Sequence, residues 1–333
     1  MRAMVLGEFG QVENSPLKLK EVRPPEPGPD QLLIRISSCG VCHTDLHTVE
    51  GELPAVQLPR IPGHQIVGRV EKTGERVSLF KTGERAGCAW LYHSCGHCRF
   101  CLSHRENLCP EAKFTGYDVD GGYAELVVVT ESFAYKLPEN FSDEQAAPLL
   151  CAGIIGYRSL RLSGLLPGEK LGLFGFGASA HVTVQVAVSQ GARVYVFSRK
   201  KEHREQALKL GAAWAGQPEE DPPVKLQAAI VFAPAGQVAR RALEVVDRGG
   251  TVALAGIYLS PVPELDYEKH LYYEKTLRSV ANATRQDGVE FLKIAGEIPV
   301  KTEVQIFPLE KANEALAAVK HSQINGAAVL KIS

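Results

Sequence analysis

Four cysteines form the most chemically informative cluster in the sequence. Cys95, Cys98, Cys101 and Cys109 follow the frame C-x2-C-x2-C-x7-C, and the residues between them are polar, small or compatible with turns. Four thiolates on one short loop can close around a zinc ion and leave no position for water, which is the arrangement of a structural site. Two disulfides, or thiols buried as small apolar groups, are the alternatives, although cysteines this close in sequence are awkward disulfide partners.

The remaining cysteines suggest a second metal site. Cys42 lies in the run CGVCHTDLH, His64 lies in the run PGHQ, and Cys151 lies in the run PLLCAG. Two thiolates and one imidazole from three distant segments would bind a zinc ion and leave its fourth position open, as a catalytic site requires. A single cysteine such as Cys151 is more often a core residue than a ligand, so the interpretation depends on the three residues together with the motifs around them.

These motifs together resemble the medium-chain zinc-dependent alcohol dehydrogenases, and the resemblance covers essentially the whole chain. It implies that Cys42, His64 and Cys151 bind the catalytic zinc. It also implies that the cysteine quartet is the structural zinc lobe of that family, so that the chain holds two zinc ions. Cys39 and Cys88 match no ligand position and are interpreted as ordinary thiols.

The resemblance implies an α/β fold with two domains. A GroES-like β-rich catalytic domain is expected at 1–152 and 284–333, with the zinc lobe at about 90–112, and a Rossmann doubly wound parallel-sheet nucleotide-binding domain at 153–283. The residue pattern changes accordingly, from short strands broken by glycine and proline to an alternation of strands and helices. Strands are predicted at 31–37, 65–71, 123–129, 171–174, 193–197, 228–232, 251–255 and 304–308, and helices at 181–190, 200–210, 238–246 and 309–321.

Composition excludes several classes of partner. The chain has 333 residues, of which 45% are hydrophobic and 23% charged, and its formal net charge is −1. A nearly neutral chain has no field to attract nucleic acid or anionic lipid. No run of 18 apolar residues and no signal-peptide pattern is present, so a cytoplasmic protein without a membrane partner is expected.

A glycine-rich turn marks the expected dinucleotide site. It follows a predicted strand, opens a predicted helix, and consists of Gly175, Phe176, Gly177, Ala178, Ser179 and Ala180. In this context the first glycine permits a tight turn and the second lets the backbone approach a pyrophosphate on the helix N-terminus. Ala180 stands where a third glycine is usual, and a simple strand-to-helix turn is the alternative interpretation.

The end of the next predicted strand bears on cofactor choice. A carboxylate there would bind the ribose hydroxyls of NAD, whereas this chain has Ser198-Arg199-Lys200-Lys201. Cations in the first turn of a helix face the positive end of its dipole, and a bound 2′-phosphate would offset that repulsion. The run therefore favours NADP(H) over NAD(H), the alternative being a solvated helix start capped by Ser198.

The resemblance also implies a proton relay. Thr44 corresponds to the hydroxyl that takes the alcohol proton, and His47 to the imidazole that passes it to solvent by way of the cofactor ribose. Asp45 corresponds to the carboxylate that orients His64, and His43 to a pyrophosphate contact. An imidazole titrates in a range that suits this transfer.

Two pocket residues and two departures from the family pattern complete the comparison. Trp90 and Leu53 stand at positions that line the substrate pocket. Gln65 replaces the glutamate that usually follows the ligand histidine, which removes a negative charge beside the metal. The segment 325–328 lacks the arginine that often reaches the pyrophosphate.

The expected activity is that of a zinc-dependent alcohol dehydrogenase or aldehyde reductase, which transfers a hydride between a primary alcohol or aldehyde and a nicotinamide cofactor. Cinnamyl-type alcohols and polyols are the substrate classes most closely related to this expectation. A homo-oligomer, either a dimer or a tetramer, is expected from the resemblance. The alternatives are a catalytically inert zinc-stabilised binding protein on the same fold and a quinone or enoyl reductase.

Overall fold

The computed structural model describes residues 1–53 and 57–333. These residues form two compact units, the first containing Met1–Cys151, Thr284–Gly296 and Thr302–Ser333, and the second containing Ala152–Ala283 and Glu297–Lys301. Glu297–Lys301 thus groups with the second unit, although the sequence analysis placed it in the first domain. The contacts explain this grouping, since the carbonyl of Lys301 lies 3.0 Å from Nε2 of His181 and 2.9 Å from Nε2 of Gln185.

The first 151 residues are rich in short strands. Their strands are β1 (Arg2–Leu6), β2 (Leu17–Glu21), β3 (Gln31–Val41), β4 (Gln65–Thr73), β5 (Arg85–Cys88), β6 (Leu91–His93), β7 (Lys113–Phe114), β8 (Leu126–Thr130) and β9 (Ala134–Tyr135). Their α-helices are short, namely α1 (His43–Glu50), α2 (Arg99–Leu102) and α3 (Asp143–Ala146). The sequence analysis did not predict α1, which is the helix that carries the proposed relay.

The second unit alternates helices and strands as the sequence pattern predicts. Its elements are α4 (Ala152–Leu162), β10 (Lys170–Phe174), α5 (Ala178–Ser189), β11 (Arg193–Phe197), α6 (Lys201–Lys209), β12 (Trp214–Gly216), β13 (Leu226–Val231), α7 (Gly236–Val245), β14 (Val246–Leu254), α8 (Tyr267–His270) and β15 (Thr276–Ser279). The strands form one sheet in the order β12-β11-β10-β13-β14-β15, and every pair in it is parallel. This is the doubly wound order of a dinucleotide-binding sheet, so the predicted fold class is confirmed.

The chain then returns to the first unit with α9 (Arg285–Glu297), β16 (Val304–Pro308), α10 (Ala312–Lys320) and β17 (Ala327–Lys331). Strand β17 pairs antiparallel with β3, where Ala328 lies opposite Val41. The resulting sheet runs β16-β17-β3-β4-β5-β9, and β8 also pairs with β3. The C-terminal segment therefore closes one side of the sheet that carries the candidate metal ligands.

Strand β3 is the centre of this sheet. Eight of its eleven residues are buried, because it pairs with β4, β8 and β17. The predicted strand ended at residue 37, whereas the observed strand continues to Val41 because Cys39 and Gly40 pair with Ile66 and Gln65 on β4. The extension brings Cys42 directly to the end of the sheet, beside the start of β4.

No helix among the described residues combines the length and the apolar composition needed to span a membrane.

Candidate functional site

Three predicted ligands converge at the ends of separate elements. Cys42 follows β3, His64 precedes β4, and Cys151 lies between a 3-10 turn and α4. The ligand atoms of the three residues lie within 4.8 Å of one another, and Sγ of Cys42 is 3.5 Å from Nε2 of His64. A zinc ion with ordinary bond lengths and tetrahedral angles separates sulfur and nitrogen ligands by about 3.6 Å. The donor set and its spacing therefore fit a zinc ion that keeps one open position.

Asp45 fixes both ends of this cluster. Its Oδ1 lies 3.0 Å from Nδ1 of His64, and its Oδ2 accepts a hydrogen bond of 2.9 Å from the backbone N–H of Cys42. Helix α1 begins with a capping box, since the Cys42 sulfur also accepts the N–H of Thr44 at 3.3 Å. One carboxylate thus leaves Nε2 of His64 facing the cluster and holds the Cys42 backbone in place.

Zinc binding at this cluster would displace protons from its ligands. Burial by itself lowers the pKa of His64, but Asp45 and Cys42 outweigh it and raise that pKa to about 10. Contact with Cys151, together with burial, raises the pKa of the Cys42 thiol well above its usual range. Because zinc binds the thiolate and the neutral imidazole, metal binding and proton release are coupled at this site.

The cysteine quartet closes around a second point in the loop between β6 and β7. The Sγ atoms of Cys95, Cys98, Cys101 and Cys109 all lie within 4.8 Å of one another. Two of the separations, Cys98 to Cys101 and Cys95 to Cys101, are 3.6 and 3.9 Å. Four sulfurs around one zinc ion are separated by about 3.8 Å. A disulfide needs about 2.05 Å, so the arrangement fits a metal and not a pair of disulfides.

Backbone amides support the same quartet. The N–H of Cys95 and the N–H of Glu111 both donate to Sγ of Cys109, each at 3.4 Å. The N–H of Cys98 donates to Sγ of Cys95 at 3.4 Å. Hydrogen bonds of this kind stabilise the thiolate, which is the form of cysteine that binds a metal.

Aromatic rings cover one side of the three-ligand cluster. The ring of Trp90 meets the ring of His64 edge-on with centroids 4.9 Å apart, stacks on Phe114 at 5.2 Å and lies 5.7 Å from Tyr117. The sequence analysis identified Trp90 but missed Phe114 and Tyr117. Both follow the quartet in the sequence, and no residue spacing in that segment indicates that their rings contact Trp90. Leu53, the other predicted pocket residue, is half-buried in the loop after α1.

Gln65 directly follows the candidate ligand His64 in the sequence and is the first residue of β4. Its side chain is 2% exposed and packs against Gly40 of β3, where an added Cβ would meet the Gln65 amide at 2.7 Å. Among the described residues, its Nε2 has no hydrogen-bond partner. The residue that replaces the usual glutamate is therefore buried, with an uncharged amide in a position where a carboxylate would be desolvated.

The predicted relay residues share helix α1. Thr44 and His47 are three positions apart and therefore face the same side of the helix. The rings of His43 and His47 have centroids 6.3 Å apart, and His43 is exposed. The predicted relay residues and the Cys42 ligand are thus carried by a single rigid element.

The glycine-rich turn joins β10 to α5. Gly175 has a φ of +92°, and a Cβ at this position would lie 3.0 Å from the backbone nitrogen of Ala233. Gly177 is the N-cap of α5 and has no side-chain cap, and a Cβ there would meet nothing within 4 Å. Ala180 is fully buried. Open space beside the uncapped N–H groups of a helix fits a bound pyrophosphate.

The basic run follows β11. Ser198 is 6% exposed and its backbone N–H donates to the carbonyl of Gly216, whereas Arg199 and Lys200 are exposed. Helix α6 begins at Lys201 with Lys200 as its N-cap, so Ser198 does not cap it as the alternative interpretation required. Nη1 of Arg204 donates to the carbonyls of Ser198 and Arg199, both at 2.8 Å. This guanidinium holds the loop at the carboxyl end of β11, where dinucleotide-binding sheets meet the adenosine ribose.

Comparisons with known proteins agree with this geometry. The sequence profile of the alcohol dehydrogenase GroES-like domain matches residues 28–139, and that of the zinc-binding dehydrogenase domain matches residues 180–296. A thermostable alcohol dehydrogenase from Pyrobaculum aerophilum, solved with cobalt and zinc bound, superposes with a TM-score of 0.91. It is 27% identical, and the match covers 99% of each chain.

Curated relatives are similar over their full length. A probable alcohol dehydrogenase AdhA from Mycobacterium tuberculosis is 47% identical over 337 residues, covering 100% of this chain and 97% of the relative. An alcohol dehydrogenase from Geobacillus stearothermophilus is 38% identical over 341 residues, covering 100% of both chains. The chain therefore belongs to the zinc-type alcohol dehydrogenase family of medium-chain dehydrogenases.

Proposed function

We propose that this alcohol dehydrogenase is zinc-dependent and interconverts primary alcohols and aldehydes with a nicotinamide cofactor. The observation that carries the proposal is the convergence of Cys42, His64 and Cys151, from three separate elements, on one point with zinc-ligand spacing. A zinc ion bound there would act as a Lewis acid toward the substrate oxygen. The Pyrobaculum aerophilum relative, described with cobalt and zinc bound, supports this assignment.

The residues around that point have separate tasks. Asp45 holds the tautomer of His64 through the contact with Nδ1 and positions Cys42 through its backbone. Thr44 accepts the alcohol proton on its hydroxyl as it releases its own, and His47 takes up the relayed proton. Because α1 is anchored by its capping box, the relay keeps a fixed position relative to the Cys42 ligand.

The first unit serves as the catalytic domain and the second as the nucleotide-binding domain. The quartet from Cys95 to Cys109 holds a second zinc ion that stabilises the loop between β6 and β7. It offers four sulfur ligands and therefore no open position, so it supports the fold and takes no part in hydride transfer.

The cofactor proposed for the second unit is NADP(H). The N-terminus of α5 would hold the pyrophosphate beside Gly177, and Arg199 would contact the 2′-phosphate. Support comes from the absence of a carboxylate in the run from Ser198 to Lys201 and from the exposure of its cations. Guanidinium groups bind phosphate in a bidentate geometry that lysine cannot match.

The substrate contacts one aromatic wall. Trp90, with Phe114 and Tyr117 packed against it, presents rings next to His64. Flat rings of this kind favour unbranched or aromatic primary alcohols over bulky secondary ones, because the latter place a substituent on both sides of the reacting carbon.

A homo-oligomer is part of the proposal. Strand β15 ends the parallel sheet and pairs only with β14 among the described strands. An edge strand with one open side can pair with the same strand of a second copy, which gives a symmetric dimer.

The test combines metal analysis with cofactor-dependent turnover. Wild-type protein is expected to contain two zinc ions per chain and to oxidise 1-butanol with formation of reduced cofactor. Cys42→Ala and Cys151→Ala should each contain one zinc ion and lose turnover with the fold retained. Cys88→Ala is the control, because Cys88 is a buried thiol outside both clusters. Turnover by the two ligand variants would refute zinc dependence, and would favour a reductase that works without the metal.

A further inference from the structure

His47 is paired with a carboxylate that the sequence analysis did not identify. Nδ1 of His47 contacts Oε2 of Glu52, two residues beyond the end of α1. The backbone N–H of Glu52 also donates to the carbonyl of His47 at 2.9 Å. Gly51, the C-cap of α1, has a φ of +75°, which reverses the chain so that Glu52 folds back onto the last turn. The pairing is therefore built into the way the helix ends.

The pair lies near two other titratable groups of the helix. The His47 side chain is 14% exposed and the Glu52 side chain 51%, so the pair lies between the protein interior and solvent. His43 is a second titratable group beside His47, with ring centroids 6.3 Å apart. Nζ of Lys320 on α10 donates a hydrogen bond of 2.8 Å to the carboxylate of Glu50, so the charge of Glu50 is paired with that cation.

We infer that Glu52 is a positioning residue for the proton relay, which accepts the Nδ1 proton of His47 and leaves Nε2 as the nitrogen that takes up the alcohol proton. The inference rests on the relay role proposed above for His47. A neutral imidazole carries one N–H and one acceptor nitrogen. A carboxylate accepts a hydrogen bond, so the nitrogen that it contacts keeps the proton and the other nitrogen is the acceptor. Asp45 does the same for His64, where Nδ1 is bound and Nε2 faces the metal cluster.

The proton balance in alcohol oxidation is simple. The alcohol O–H bond breaks, and the Thr44 hydroxyl takes that proton and releases its own. The released proton would reach Nε2 of His47 by way of the cofactor ribose, as the family resemblance implies. Nδ1–H stays hydrogen-bonded to Glu52 throughout. The negative charge of Glu52 stabilises the imidazolium until Nε2 returns the proton to solvent. Aldehyde reduction uses the same steps in reverse, so Glu52 affects both directions.

The effect of the substitution follows from the hydrogen-bonding capacity of residue 52. A carboxylate can only accept a hydrogen bond from Nδ1, whereas an amide can accept or donate and so permits both tautomers of the imidazole. Glu52→Gln should therefore reduce the maximum kcat/KM for alcohol oxidation by about tenfold, since the tautomer with Nε2 as acceptor is no longer fixed.

The experiment measures kcat/KM for 1-butanol oxidation against pH in wild type, Glu52→Gln, His47→Gln and Glu8→Gln. Glu8 is an exposed glutamate of the same unit for which the described residues provide no ion pair, so its variant controls for loss of surface charge. Nitrogen-15 NMR of the zinc-loaded, cofactor-free protein reports the tautomer directly. Wild type should show His47 protonated at Nδ1, and Glu52→Gln should show a mixture with the Nε2–H form.

The outcomes separate the two proposals. If His47→Gln keeps full activity and the wild-type profile, the relay role of His47 is wrong. If His47→Gln lowers activity but Glu52→Gln matches wild type in profile and tautomer, the relay stands and the inference about Glu52 is wrong. A drop in the maximum without an altered tautomer would also overturn it, because a purely structural role predicts that result.

Discussion

Nδ1 of His64 lies 3.0 Å from Oδ1 of Asp45, and both side chains are almost completely excluded from solvent, at 0% and 2% exposure. A buried carboxylate is costly unless it is fully engaged, and Asp45 has a second partner in the backbone of Cys42. The pair therefore ties the orientation of one proposed metal ligand, His64, to the backbone position of another, Cys42. Metal affinity should depend on Asp45 although Asp45 is not a ligand.

The first prediction concerns this dependence. Asp45→Asn keeps the shape and one acceptor oxygen but removes the charge that orients His64, so zinc affinity at the three-ligand site should fall about 10- to 100-fold. Competition with a chromophoric chelator measures the loss. Asp266→Asn is a matched control, because Asp266 also caps a helix, α8, in the other unit. Equal zinc affinity in wild type and Asp45→Asn would contradict the assignment.

Zinc uptake should release protons from the same cluster. In the metal-free chain the pKa of His64 is about 10 and that of Cys42 is raised well above its usual range, so both groups are protonated near neutral pH. Binding displaces those protons, and affinity should rise with pH until the thiols ionise without the metal. Calorimetric titration in two buffers with different ionisation enthalpies gives the number released. A buffer-independent enthalpy would mean that the ligands are already deprotonated.

Loss of the metal from the cysteine quartet should lower the stability of the fold. Cys98→Ser removes one sulfur from the closed quartet, and loss of a structural metal belongs to the changes that destabilise a fold by about 4 kcal/mol or more. Cys88→Ser is the comparison, since Cys88 is fully buried but belongs to neither cluster. Thermal unfolding of both variants, with and without a chelator, distinguishes them. Chelator should lower the Tm of the Cys88 variant far more than that of the Cys98 variant.

The aromatic wall gives a prediction about substrate preference. Trp90→Leu removes the ring that meets His64 and stacks on Phe114, and stacked aromatic pairs contribute about 0.5–1.5 kcal/mol. The kcat/KM for cinnamyl alcohol relative to 1-butanol should therefore fall about 2- to 13-fold. Trp90→Phe keeps a ring and should retain most of the preference. A ratio unchanged in the leucine variant would place the aromatic substrate elsewhere.

What the sequence predicts depends on how far apart the participating residues lie. The cysteine quartet is contained in one loop, so its spacing alone indicates the closed metal site. Cys151 is more than a hundred residues from Cys42, and no spacing rule connects them, so it is a candidate ligand only in combination with Cys42 and His64, and the family resemblance assigns its role. The rings of Phe114 and Tyr117 reach Trp90 through the fold of the loop after the quartet, which sequence patterns do not encode.

Local structure around the site was underestimated for a related reason. Helix α1 has polar residues at most positions and only eight residues, too few for a clear helical period. It is stabilised by a cap in which a cysteine sulfur replaces the usual hydroxyl or carboxylate oxygen. The same helix end places Glu52 beside His47, which becomes visible only once the reversal at Gly51 is known.

Cofactor choice gives the last prediction. Arg199 is exposed at the end of β11, and Arg204 holds the loop by its hydrogen bonds to the carbonyls of residues 198 and 199. Wild type should prefer NADP(H), and Ser198→Asp combined with Arg199→Ala should move the preference to NAD(H). A charge-assisted contact contributes about 1.5–3 kcal/mol, so the ratio of kcat/KM values should change by about tenfold to a hundredfold.

Lys209→Ala is the control for this change, because it removes a cation from the far end of α6 and leaves the loop intact. Binding of 2′,5′-ADP, followed by calorimetry, separates recognition of the phosphate from the later steps of turnover. The double variant should lose this binding and the control should keep it. A wild-type enzyme that uses both cofactors equally, or prefers NAD(H), would mean that the basic run is a solvated start of α6, since its cations would then gain nothing from a phosphate.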